Sequence, residues 1–175
     1  PEIEWPAEPP RVTAMELPLV PFLASLAYAV GGVNVVTVRG LSAVAFLIAS
    51  VYIFLLTRHE LGPIVGLLAA LASGIMPLYH TFGLILFSEP WVISASVASC
   101  YHLARWCDER ALGKRPSYHA IGAAASFSLA VALKLTPLYM LLPLAWIVYR
   151  VDSFRLGDYL SSARLFVLAL VLPVF

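Results

Sequence analysis

Long apolar runs constrain this chain more than any other feature. They fall at 40–57, 63–80, 89–104, 118–133 and 137–149, and a further one begins near 165. A stretch of about 20 apolar residues crosses the hydrocarbon core of a bilayer as a helix. In lipid, only helices and closed barrels satisfy their own backbone groups. The composition agrees, with 61% hydrophobic and 12% charged residues, against about 25% charged in soluble domains. The expected fold is therefore all-α: a polytopic transmembrane helix bundle of five to six spans, with the lipid bilayer as its first partner.

Residues 1–16, with four glutamates and four prolines, are polar and irregular and belong outside the membrane core. Residues 17–31 are apolar but short for a span, and read as an interfacial or re-entrant helix. This divides the chain into an extracytoplasmic loop with its interfacial helix (1–39) and a helix bundle (40–175). The chain begins without an initiator methionine and ends inside an apolar run, so the bundle reads as truncated at both ends. Cys100 and Cys107 read as reduced, packed thiols. A net charge of +1 gives no argument for nucleic acid.

Sidedness follows from lysine and arginine. The connections at 58–61, 105–116 and 150–164 hold eight of the eleven: Arg58, Arg105, Arg110, Lys114, Arg115, Arg150, Arg155 and Arg164. Arg11, Arg39 and Lys134 fall on the other side. The eight-residue side is expected to be cytoplasmic, in a multi-pass protein of the plasma or inner membrane. Two ladders of small residues, Gly62, Gly66, Ala70, Gly74 and Gly122, Ser126, Ala130, are expected to let helices approach closely.

Four ionisable residues, Glu16, Arg39, Glu89 and Lys134, gather at the outer ends of these helices. Charges at membrane depth usually face a cavity or a partner. Arg39 and Lys134 have long stems and could equally snorkel into water. Glu89 snorkels poorly. Its sequence context, Ser88-Glu89-Pro90, also has a structural meaning: Ser88 as N-cap, a carboxylate beside the positive helix end, and proline just inside. The two readings of Glu89 are compatible. The cations could neutralise a phosphate, and a carboxylate could hold a divalent metal or act as a base. His80 reaches the same face and is a second candidate metal ligand. His59, His102 and His119 fall at or near the cytoplasmic side and receive no role.

The order of motifs carries a resemblance. "MELPLVPFLASLAYAVGGVNVVTVRGLSAV" (15–44) places an acidic residue two positions before a proline, then an apolar helix, a glycine and an arginine opening a span. "LASGIMPLYHTFGLILFSEPW" (71–91) closes one helix with proline and opens the next with an acidic residue plus proline, and "SLAVALKLTPLYMLLP" (128–143) ends a helix on lysine. Over residues 15–150 this resembles the dolichyl-phosphate-mannose–protein mannosyltransferase-like family, which includes the aminoarabinose transferase of lipid A modification. The resemblance implies a GT-C fold and an integral-membrane glycosyltransferase. Such an enzyme moves a sugar from a polyprenyl-phosphate-linked donor to a protein, lipid or glycan acceptor on the outer face. It also implies that Glu16 lines the active site and helps bind a divalent metal, and that Lys134 faces the donor phosphate. Arg39 and Glu89 match further site positions.

One departure matters. The family's catalytic aspartate follows its first transmembrane helix, and this chain has no aspartate before Asp108. The base is therefore expected upstream of Pro1, with this isolated stretch inactive. Direct attack of an acceptor hydroxyl on the anomeric carbon would invert it. The rivals are a transporter-like protein, whose polar residues should line the bilayer midplane, and a structural membrane subunit in which the four charges only anchor helix ends.

Overall fold

A computed structural model of the protein describes residues 18–76, 88–113 and 118–151, and every regular element among them is helical. In chain order these are α1 (Leu19–Gly31), α2 (Val35–Leu61), α3 (Pro63–Ile75), α4 (Glu89–Ala111), α5 (Tyr118–Leu133), a 3-10 turn (Thr136–Met140) and α6 (Leu141–Val151).

Local chemistry sets the boundaries. α2 starts at Val35, five residues before the apolar run suggests, because Asn34 caps it. The Asn34 Oδ1 accepts from the Thr37 N–H at 2.8 Å, and its Nδ2 donates to the Gly31 carbonyl at 2.9 Å. One side chain thereby closes α1 and opens α2. Arg39 consequently lies inside α2 rather than at its start. At the other end Gly62, at φ +94°, donates its N–H to the Arg58 carbonyl and turns the chain directly into Pro63 of α3. Only glycine takes that backbone conformation without strain, and proline at the first helical position gives up an N–H that has no partner anyway.

α4 continues to Ala111, into the segment that charge alone assigns to a loop at 105–116. Packing extends it: Leu103, Trp106 and Cys107 are buried with Cys100 against Ala123, Phe127 and Val131 of α5 and Leu144 of α6. α4 is the central helix. Its interior is built from small side chains such as Ser94, Ala95, Ala98 and Ser99, which let α2 and α5 come close on opposite flanks. Ser94 donates across to the Ala45 carbonyl of α2, and Ser99 donates to the Ala123 carbonyl of α5 at 3.1 Å. Cys100 and Cys107 are both buried thiols outside any disulfide.

The two small-residue ladders differ in use. A Cβ on Gly66 would meet the Arg58 nitrogen at 2.9 Å and the Phe54 carbonyl oxygen at 3.0 Å, so the α2–α3 contact needs glycine there. A Cβ on Gly74 would meet nothing within 4 Å. On α5, Gly122 makes room for an imidazole, since its Cβ would lie 3.0 Å from the His102 ring.

Apolar side chains also cover the outside. Val44, Leu47 and Val51 of α2 and Ile64, Leu67, Leu68 and Leu71 of α3 are exposed. Among the described helices, α2 is the one long and apolar enough to cross a membrane by itself. α1, α3 and α5 are apolar but shorter, at 10–17 residues. α4 is long enough, with 23 residues, but is diluted by serines and a charged end. The all-α expectation therefore holds, while five to six independent spans are not what the described helices offer by length and apolarity.

Candidate functional site

Three cross-helix contacts fix the register that builds the site. α2 and α4 run parallel, with Ala45 beside Ser94, Tyr52 beside His102 and His59 beside Asp108. α5 returns antiparallel to α4, with Ala123 beside Ser99 and His119 beside His102. Carried to its end, the antiparallel register sets Lys134 opposite Glu89. The Lys134 Nζ donates to Glu89 Oε1 at 2.6 Å.

Both partners sit where helix ends favour their charge. Glu89 opens α4 at its positive end, and Lys134 follows the last turn of α5, its N–H bonded to the Ala130 carbonyl at 3.1 Å. Pro90 and Pro137 flank them and are fully buried, fixing the backbone on both sides. The side chains are 29% and 32% exposed, so water reaches the pair without surrounding it. Glu89 Oε2 is buried and has no hydrogen-bond partner among the described residues. Ser88 occupies the N-cap position but does not cap by its side chain. Its backbone is already helical, at φ −73° and ψ −23°, which turns the hydroxyl away from the first-turn N–H groups.

Val20 of α1 packs with Val92 and Leu133 beneath this end, with Leu19 and Trp91 at the margin. The start of α1 is thereby fastened next to the ion pair. The α2–α4 register puts Arg39 at about the height of Ser88 and Glu89, where it is exposed and stands apart from the pair. Glu16 and His80 lie outside the described residues. Of the sequence-derived candidates, the structure thus brings together Glu89 and Lys134.

No group of three or more His, Cys, Asp or Glu that could hold a metal occurs among the described residues. Glu89 is a poor nucleus for one, because an ammonium already occupies its Oε1 and would repel a second cation.

Polar clustering at the opposite end escaped the sequence reading. There His59 Nε2 lies 2.7 Å from Asp108 Oδ2, Arg150 pairs with Glu60 at 2.6 Å, and His102 and His119 meet ring to ring. The signal was present in the spacing: once α4 and α5 are paired antiparallel through Glu89 and Lys134, His102 and His119 fall opposite each other.

One helix, α2, is long and apolar enough to cross a membrane, α2 and α3 turn apolar side chains outward, and a charged pair joins α4 to the end of α5. Residues 10–175 match the family model described as dolichyl-phosphate-mannose-protein mannosyltransferase, and the chain belongs to that family. No curated protein and no solved structure matches it. Membership brings a membrane glycosyltransferase of the GT-C type and, for the family, a polyprenyl-phosphate sugar donor.

Proposed function

We propose that these helices form part of a multi-pass glycosyltransferase whose donor-phosphate site lies at the Glu89–Lys134 end, on the outer face of the membrane. The observation that carries this reading is the ion pair itself, with one carboxylate oxygen committed to Lys134 and the other buried without a partner among the described residues. Glu89 Oε1 accepts a hydrogen bond from the Lys134 ammonium. The carboxylate holds the ammonium at a fixed place, and a phosphate oxygen arriving there receives a charge-assisted hydrogen bond. Arg39, at the same height on α2 though apart from the pair, and Glu16, which lies outside the described residues, are the further groups assigned to the donor by the family resemblance.

Neutralising the phosphate makes it a better leaving group. An acceptor hydroxyl on a protein, lipid or glycan attacks the anomeric carbon from the opposite face, and the centre inverts. The acceptor's proton goes to a base outside the described residues, since at this end they hold no aspartate. A divalent metal, if Glu16 holds one, would add Lewis acidity at the phosphate.

Convergence of Glu89 and Lys134 favours this reading over a structural subunit, in which each charge would seek water separately. The test follows sugar transfer from a labelled polyprenyl-phosphate donor by the intact protein in membranes. Lys134→Ala and Glu16→Ala should each lower the rate at least tenfold. Wild-type rates in both variants overturn the assignment.

A further inference from the structure

A chain of polar side chains crosses the other half of the bundle, away from the Glu89–Lys134 pair. The Tyr52 hydroxyl of α2 lies 3.3 Å from His102 Nε2. His102 Nδ1 lies 2.9 Å from His119 Nδ1 of α5. His119 Nε2 faces Glu109 Oε1 of α4 at 3.9 Å. His119 is 3% exposed. Gly122 leaves the slot into which the His102 ring fits, and the Tyr101 ring meets both imidazoles edge-on at 5.3 and 6.0 Å. Tyr118 stacks beside His119 at 4.2 Å.

Two ring nitrogens at 2.9 Å need one hydrogen between them. Two lone pairs would repel, and so would two N–H groups. The flanking partners select the arrangement. Glu109 Oε1, at 3.9 Å, is beyond hydrogen-bond reach, but its charge favours the tautomer that turns Nε2–H toward it and leaves the His119 Nδ1 lone pair toward His102. His102 then donates from Nδ1 and accepts the Tyr52 O–H at Nε2. The hydrogen bonds run in one direction, from Tyr52 through His102 to His119. A single added proton is accommodated by reversing it: His119 donates from Nδ1, and His102 turns its Nε2–H to the Tyr52 oxygen. A second proton leaves an N–H on each side of the bridge, and the contact cannot persist.

We propose that His102 and His119 form an acid-released clasp between α4 and α5, closed by one bridging hydrogen and opened when both imidazoles are charged. The groups facing it are Tyr52 from α2; Tyr101, Glu109 and Arg105 from α4; and Tyr118 from α5. Histidine ordinarily titrates near 6.5, and that value in the unfolded chain sets the upper edge of the pH range over which such a device responds. The sign is fixed by linkage. The unfolded chain takes both protons in acid and the clasped state takes at most one, so the folded state is favoured at higher pH and loses stability as pH falls through the histidine range.

The experiment compares the unfolding midpoint of the full chain in lipid nanodiscs at pH 8 and pH 5 for wild type, His102→Gln and His119→Gln. His59, beside Asp108, is present in all three and cancels in the comparison. Wild type should lose about 5 °C more than either variant on acidification. An equal loss in wild type and both variants overturns the clasp. Nitrogen-15 spectra of histidine-labelled wild type supply a measurement that does not depend on a variant folding. At pH 8 one of the two bridging Nδ1 atoms should carry hydrogen and the other none, and at pH 5 both should. Two hydrogen-free Nδ1 atoms at pH 8, or a midpoint raised by stoichiometric zinc in wild type alone, would make the pair a metal site and refute the proposal.

Discussion

Replacing Lys134 with methionine keeps most of the side-chain volume and removes the charge that faces Glu89. At 2.6 Å and an effective dielectric of about 20, the bare attraction is about 6 kcal/mol. Most of it is offset by the cost of drawing both groups partly out of water. With roughly a third of each side chain still exposed, screening lowers the net value further, toward about 1–2 kcal/mol. A chain of this size shifts its unfolding midpoint by about 2–4 °C per kcal/mol, so Lys134→Met and Glu89→Gln should each cost roughly 4 °C. The decisive measurement is the double variant in nanodiscs, followed by tryptophan emission during heating. If the pair is a unit, the double variant should lose about as much as either single one. The coupling should also shrink as salt rises from about 0.1 M to 1 M, where the screening length falls from about 10 Å to about 3 Å. Additive losses in the double variant would refute the reasoning.

Three further outcomes separate the packing assignments, each read by thermal unfolding in the same nanodiscs. Gly66→Ala pushes a methyl into the backbone of α2 and should destabilise by about 2 kcal/mol, whereas Gly74→Ala, with open space around it, should be neutral or stabilising by up to about 1 kcal/mol. Phe127→Ala empties a site that is 0% exposed between α4, α5 and α6 and should cost about 3–5 kcal/mol. Arg150→Ala breaks its contact with Glu60, but with the arginine 56% exposed the change should stay within about 0.5 kcal/mol.

Helix content and the starts at Pro63, Glu89 and Tyr118 were legible from the apolar runs, whereas the Asn34 cap that begins α2 at Val35 was not. α5 coincides with its apolar run, at Tyr118–Leu133. The long extension of α4 was not legible, since Arg105, Asp108 and Arg110 mark an interface by charge while Trp106 and Cys107 between them face a core that sequence alone does not place. Topology alone gathered Glu89 and Lys134 at the outer ends of their helices, but their direct pairing was not legible. No local rule pairs residues so far apart, and the register that joins them depends on which helix lies beside α4. For the same reason Gly122 read as one rung of a packing ladder, although its role is to seat His102. The expectation of Ser88 as a side-chain cap failed because sequence names the residue type but not the backbone angle at that position.

α4 carries a partner at each extremity: Lys134 on Glu89, and, some five to six turns on, His59 on Asp108. Its 23 residues span about 34 Å as a straight rod. A rod pivoted at Glu89 and tilted by about 5° would carry its far end sideways by about 3 Å, more than a hydrogen bond tolerates. Whatever shifts the axis of α4 at the ion pair is therefore magnified at the histidines, so the helix has the mechanics of a lever, with its fulcrum at one contact and its read-out at the other.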